Sequence, residues 1–315
     1  MSTTRTGSCR SATGKRSGPR SASDSGSAFR PLALLSILIF AFAITAPAAA
    51  YAEWRLQTGM VLGYSPTVFG VSARTGYSIP LYHNVPGIDS GSILWETARV
   101  EPGIDILANP SFTDVAARVY VEPIAFFDLR AEAGIRTYYT ALGYGLVPLD
   151  GYGADLPAVT DDDYDREREI GRFIRVAPRL KAAAGPLIVT NTLTAAWYFH
   201  PDADASHLEE SVALRVIARD DLVLQNTVQL IYRVDSSSAT FAGIGADYTV
   251  AWVPGASGSE QEPLQRLALL GAYAVELNPR LELQTALLAG GYPTGEPFDR
   301  DRLYALAVVT VATRF

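Results

Sequence analysis

Val68-Phe69-Gly70-Val71-Ser72-Ala73-Arg74-Thr75-Gly76-Tyr77-Ser78-Ile79 alternates along its whole length. Phe69, Val71, Ala73, Thr75, Tyr77 and Ile79 fall on one side, and Gly70, Ser72, Arg74, Gly76 and Ser78 on the other. Successive side chains of a strand point to opposite faces, so the stretch is a ribbon with one apolar and one polar surface. The pattern recurs downstream. Val115, Ala117, Val119 and Val121 oppose Asp114, Arg118 and Glu122, and Leu129, Ala131, Ala133, Ile135 and Tyr139 oppose Asp128, Arg130, Glu132 and Arg136. It continues with Leu187 to Phe199 against Thr190, Thr192 and Thr194, with Val212 to Ala218 against Ser211, Arg215 and Arg219, with Leu222 to Tyr232 against Gln225, Thr227, Gln229 and Arg233, and with Ile244 to Trp252 against Gly245, Asp247 and Thr249.

Short turns separate many of these segments: Asn109-Pro110-Ser111, Pro123 to Phe126, Ala184-Gly185-Pro186, Arg219-Asp220-Asp221 and Asn278-Pro279-Arg280. Longer polar connections lie at Tyr82 to Ser92, Gly145 to Glu169, His200 to Glu209, Pro254 to Pro263 and Tyr292 to Arg302. Tight turns on one side and long loops on the other are the habit of membrane-spanning barrels, with the long loops outside, which makes Gly145 to Glu169 extracellular. Thirteen segments can be counted from Trp54–Gly63 to Leu303–Phe315, yet single-chain bacterial barrels have an even number. The in-and-out assignments collide between about Leu222 and Val253, unless the two segments before Pro80 are one bent strand. The expectation is an all-β, antiparallel up-and-down transmembrane barrel of about twelve strands, within a range of roughly ten to fourteen.

Pro31 to Ala52 has an apolar core from about Leu32 to Ile44 and ends in Ala50-Tyr51-Ala52, the layout of a secretory signal with an A-x-A cleavage site. The sequence therefore divides into a leader, 1–52, with a long polar n-region, and one barrel domain, 53–315. The leader holds six of the 26 basic residues and one of the 33 acids, so the remainder carries 20 basic against 32 acidic side chains, a formal charge of about −12. Nucleic acid is not a partner of such a chain, because neutralising phosphates takes clustered Lys and Arg. The single cysteine, Cys9, lies in the leader, which rules out a disulfide scaffold. After the leader no apolar run reaches the length of a spanning helix, which excludes a helical inner-membrane protein.

Aromatic residues gather near segment ends, among them Trp54, Tyr139, Trp197, Trp252 and Tyr304, as in the interfacial girdles of membrane barrels. The chain finishes on Leu303-Tyr304-Ala305-Leu306-Ala307-Val308-Val309-Thr310-Val311-Ala312-Thr313-Arg314-Phe315. In this it resembles the Gram-negative outer-membrane β-barrel superfamily, whose last strand typically ends on an aromatic residue read by the barrel-assembly machinery. Phe315, Val311, Val309 and Ala307 match that alternation; Thr313 departs from it. The resemblance implies export to the outer membrane, outer-membrane lipid as the surroundings, and Phe315 as an assembly signal for that machinery.

With apolar faces toward lipid, the interior collects Arg99, Glu101, Arg118, Arg130, Glu132, Arg136, Arg175, Arg179, Lys181, Arg215, Arg219 and Arg233, together with Asp105, Glu122, Asp128, Asp247, Glu276 and Glu282. One reading pairs these charges across neighbouring strands into a filling, since a buried charge needs a partner. The other is a narrow polar pore for a small solute or ion, its basic wall favouring anions. About eight strands leave room only for side chains and sixteen leave an aqueous channel, so width alone does not decide. Catalytic signals are weak. His83, His200 and His207 all lie in loops, and no serine stands opposite one at strand spacing. Asp161-Asp162-Asp163 reads as a solvated acidic loop without the order of a calcium loop. No catalytic residue, metal site or cofactor is expected, and the alternatives are an outer-membrane hydrolase or a soluble periplasmic barrel holding a small ligand.

Overall fold

The computed structural model describes residues 52–64, 68–82, 92, 94–139, 146–154, 168–201, 203, 206–210, 214–237, 240–258, 261–294 and 303–315. The leader, His83 and Asp161-Asp162-Asp163 lie outside them. Among the described residues every element is a strand: β1 (Glu53–Tyr64), β2 (Val68–Pro80), β3 (Arg99–Ala108), β4 (Phe112–Ile124), β5 (Phe127–Tyr138), β6 (Pro148–Leu149), β7 (Ile170–Ala184), β8 (Leu187–Phe199), β9 (His207–Glu210), β10 (Arg215–Ala218), β11 (Asp220–Ser237), β12 (Thr240–Trp252), β13 (Leu264–Asn278), β14 (Leu281–Thr294) and β15 (Leu303–Arg314). Twelve of them close a barrel in the order β1-β15-β14-β13-β12-β11-β8-β7-β5-β4-β3-β2, all antiparallel neighbours. Closure comes from β1 on β15, with Met60 opposite Val309 and Phe315 N donating to Trp54 O at 2.9 Å. No edge is left unpaired, as hydrocarbon demands.

The surplus thirteenth segment is now placed. Residues 215–218 do form a strand, but β10 belongs with β9 and β6 to a separate three-stranded sheet, order β10-β9-β6, and not to the wall. The collision in the sequence reading is therefore caused just ahead of Leu222, and β1 and β2 are two distinct wall strands. Arg219-Asp220-Asp221 joins this sheet to β11 and is not a wall turn. Asn109-Pro110-Ser111 joins β3 to β4 at the end where the long loops lie, and the connection from Leu81 to Ala98 lies at the other end, so the two ends do not sort by loop length alone.

Every wall strand keeps the period of two that the sequence shows. On β1 burial alternates strictly, with Trp54, Leu56, Met60, Leu62 and Tyr64 outward. Large side chains stand free on the outer surface around the barrel; Leu269 is 74 % exposed and Leu287 62 %. A soluble protein does not display a belt of that kind to water, whereas a membrane barrel needs one. The fold is thus the outer-membrane type of β-barrel. Trp54, Trp197 and Trp252 point outward near strand ends, and Tyr139 does so one residue beyond β5. Tyr304 does not. It is 4 % exposed and faces the interior, its ring 5.6 Å from that of Tyr292 and capped by the Arg266 guanidinium at 5.0 Å. In β15 the outward residues are the odd-numbered ones, so an even position near the strand end falls on the lumenal face.

Candidate functional site

Charge is not spread evenly around the lumen. On β2–β5 and β7, inward-facing residues of opposite sign stand directly across from each other: Arg74 and Asp105, Arg99 and Glu122, Asp114 and Arg136, Glu132 and Arg175, Asp128 and Arg179. Facing pairs on one side of a sheet are within reach, and these close into ion pairs. Arg175 meets Glu132 at 2.9 Å, Arg179 meets Asp128 at 2.8 Å and Arg99 meets Glu122 at 2.8 Å. Asp105 is the hub, receiving Arg74 at 3.1 Å, Arg118 at 2.9 Å and Arg130 at 2.7 Å, while Arg130 also contacts Glu132. Arg118 bridges onward to Glu101 at 2.7 Å, and Lys181 joins Asp128 to Glu122. Gly76 makes room for this, since a Cβ there would lie 2.6 Å from Glu101 Oε1 and 2.9 Å from the Arg118 guanidinium.

At the long-loop mouth Arg136 is 1 % exposed in its side chain and gripped by Asp114 through two bonds of 2.6 and 2.7 Å. Its guanidinium lies 4.0 Å from the Phe112 ring centre, with the rings of Tyr138, Phe173 and Tyr198 within 6 Å. Planar, delocalised and weakly hydrated, guanidinium suits such a stack where ammonium would not. The middle of the opposite wall is neutral: Thr190, Thr192, Gln225, Thr227 and Gln229 are followed by Ala268, Leu270, Ala272, Leu288 and Val308, with Arg266 paired to Asp247 at 3.4 Å toward the long-loop mouth, and with Glu276 facing Glu282 and Arg55 paired to Glu53 toward the other end. Cavities of about 220 Å³ beside Arg74, Arg130 and Gln57 and about 260 Å³ beside Phe241, Ala272 and Val308 lie among the described residues, with Thr310 common to both. Each is large enough for several waters, since one needs only about 10–15 Å³ of such space.

The small sheet β6-β9-β10 is seated against the lumenal side chains at the long-loop mouth. Leu146, Leu208 and Ile217 pack with lumenal Phe112, Tyr138, Phe173 and Tyr198, and Leu214 packs against lumenal Ala251, Leu264, Ala268, Tyr292 and Tyr304. Leu208 and Ile217 are fully buried. Its stem is held by His200 N donating to Arg219 O at 2.7 Å. Gly171 is required beneath it, because a Cβ there would lie 2.6 Å from the His200 ring.

Nine of the twelve interior candidates, Arg99, Glu101, Arg118, Arg130, Glu132, Arg136, Arg175, Arg179 and Lys181, come together in the ladder. Arg215 and Arg219 do not lie on the wall. Arg215 is fully buried on β10, bound to Gln261 Oε1 at 3.1 Å and to the Glu262 carbonyl; burial pushes its guanidinium down to about 10, still charged at neutral pH. Arg219 is exposed where the cap meets β11. Arg233 sits at the far rim, exposed, with the Gly185 carbonyl 3.5 Å away. Arg74 and Asp114, on the polar faces of their strands, line the interior too, as does Arg266, whose strand parity places it there.

Of the described histidines, neither His200 nor His207 is held in an open, oriented catalytic arrangement. His200 and Glu169 face each other at 3.4 Å but are 1 % and 3 % exposed in their side chains, shut off from any substrate. Ser206 Oγ lies 3.0 Å from His207 Nδ1, a contact between neighbours in sequence, and among the described residues no carboxylate orients that ring; the Tyr152 ring abuts it instead, 4.6 Å between centres. A serine nucleophile needs its base held by a third group.

Together these features define a transmembrane β-barrel whose lumen is laced by ion pairs and capped at one mouth by its own chain. No protein-family model matches the chain, and no curated protein matches it in sequence. Among solved structures it is similar to the β domain of the Bordetella autotransporter BrkA (TM-score 0.44, 8 % identity, 84 % of this chain and 98 % of that one). It is also similar to the NanC porin (0.40, 9 %, 82 % and 100 %) and to the translocator domain of the autotransporter NalP from Neisseria meningitidis (0.38, 13 %, 93 % and 98 %). These are likenesses of general form; the class rests on the chain's own wall, lumen and cap.

Proposed function

We propose that this chain is a non-enzymatic outer-membrane barrel, porin-like in its wall but held shut by its cap, so that small solutes or ions pass only when the cap is displaced. On this reading the leader 1–52 directs export and is removed after Ala52, the C-terminal strand ending at Phe315 is the handle for the assembly machinery, and the long-loop end faces outside. The observation that carries the proposal is the seating of Leu208, Leu214 and Ile217 among lumenal side chains, because burying them on folding favours the shut state by about 1.5–3 kcal/mol per large apolar side chain. The ladder beneath adds to it: a charge that is already paired does not line an open path.

Reconstitution into planar bilayers tests this directly. The intact, heat-modifiable barrel is expected to leave the bilayer silent for most of the record, with rare openings at raised voltage. A steady conductance from the intact protein at low voltage contradicts the shut state, and lipid- or peptide-cleaving activity that disappears with His207→Ala contradicts the non-enzymatic reading.

A further inference from the structure

Two asparagines break the apolar outer face, and both lie in its middle. On β8 and β11 the outward residues pair in rows from one girdle to the other: Trp197 with Leu222, Ala195 with Leu224, Leu193 with Asn226, Asn191 with Val228, Val189 with Leu230, and Leu187 with Tyr232. Trp197 marks one interface and Tyr232 the other, so Asn226 and Asn191 occupy the two central rows of a lipid-facing band roughly 25 Å tall. Asn191 Nδ2 donates to Asn226 Oδ1 at 3.1 Å. Among the described residues neither amide makes a second hydrogen bond. The adjoining strands give no help, because Leu180 and Val250 flank the pair and the Tyr248 hydroxyl is spent on Gln265 at 2.9 Å.

An amide carries two donors and an acceptor with two lone pairs. After the one internal bond, the Asn191 oxygen and both Asn226 N–H groups remain open in the plane of the hydrocarbon. Leaving them unmatched there costs several kcal/mol, and acyl chains have nothing to offer. Lipid headgroups lie at the girdles, two or three rows away. A second copy of this wall meets the need without any further assumption. About a two-fold axis that runs along the membrane normal in the plane between two such walls, an Asn226 N–H of each copy can meet the Asn191 oxygen of the other, since the two amides already stand side by side, so one self-complementary patch supplies donor and acceptor both ways. Ala195, in the row next to Asn226, keeps that side of the pair low for close approach, as small residues do at membrane interfaces.

We propose that the β8–β11 face is a homodimer interface within the membrane, keyed by reciprocal hydrogen bonds between Asn191 and Asn226. The proposal rests on the transmembrane reading of the outer face and is independent of whether the cap shuts the lumen. The test uses full-length protein in native membranes with Cys9→Ser as background. Leu193→Cys, which is outward beside both amides, is expected to give a disulfide-linked dimer under mild oxidation, whereas Leu287→Cys on β14 stays monomeric. Asn191→Leu with Asn226→Leu should keep a heat-modifiable barrel and lower the dimer fraction about tenfold or more, as the loss of two to four membrane hydrogen bonds allows. Asn226→Leu alone repeats the measurement if the double variant assembles poorly. A Leu193→Cys barrel that remains monomeric or captures only a different protein, equal cross-linking from Leu287→Cys, or a dimer indifferent to the leucines overturns the interface. Extraction of the protein by salt wash without detergent overturns the transmembrane reading instead.

Discussion

Replacing residues 201–218 by a short glycine-serine link turns the silent barrel into a conducting one. The link is geometrically easy, since Phe199 and Asp220 already pair across β8 and β11 and His200 is bonded to Arg219. It removes two of the three cap strands and withdraws Leu208, Leu214 and Ile217 from the lumen, while the wall, whose strands pair only with each other, is left complete. Open probability at low voltage is expected to rise on the order of tenfold or more, because shedding ~3 kcal/mol of apolar burial shifts a two-state equilibrium by about two decades. Where the path runs beside the ladder, the current should favour anions. On β2–β5 and β7 the inward cations are Arg74, Arg99, Arg118, Arg130, Arg136, Arg175, Arg179 and Lys181, eight against the six carboxylates Glu101, Asp105, Asp114, Glu122, Asp128 and Glu132. A reversal potential in a salt gradient reads that preference. A folded deletion variant as silent as the parent would show that the ladder, and not the cap, shuts the lumen.

Arg136→Met is expected to destabilise the barrel by about 3–5 kcal/mol, the usual result of stripping one partner from a buried ion pair. The loss is large because the Asp114 carboxyl, 5 % exposed, loses both bonds with no water to replace them, and because four aromatic rings lose the cation they surround. Arg136→Met with Asp114→Leu should recover most of it, since well-packed apolar replacements of a buried pair are often neutral. Urea unfolding from lipid vesicles, followed by tryptophan fluorescence, measures both. A single-variant loss under about 1 kcal/mol would place the pair in high-dielectric water, which a shut mouth does not permit.

Much of this architecture is written in the alternation itself. The belt on β1 and the charged faces of β4 and β5 can be read position by position, because period two depends only on the local backbone. Register cannot be read that way. Arg136 and Asp114 share a level only because the β4–β5 turn sets Phe127 against Ile124 and an irregularity before Val121 then shifts the register by one residue, and Asp105 becomes a hub only because three strands bring Arg74, Arg118 and Arg130 to one height. The cap was hidden for a related reason. Val212 to Ala218 alternates like a wall strand, and alternation does not say which sheet a strand joins; the odd segment total was its only trace. Tyr304 shows the cost of a one-residue slip, which moves a ring from the lipid face to the lumen.

One face of every wall strand is turned to lipid and the other to the lumen, and β15 is where this is most directly measured. Single cysteines along residues 304–312, in a Cys9→Ser background, are labelled and their fluorescence quenched by a nitroxide fixed in the acyl chains. Ala305, Ala307, Val309 and Val311 should be quenched and unreactive to charged maleimides, and Leu306, Val308, Thr310 and Ala312 should be unquenched, giving a period of two across the strand. A flat profile, or odd-numbered positions that react with charged maleimides and escape quenching, would contradict the membrane-spanning barrel.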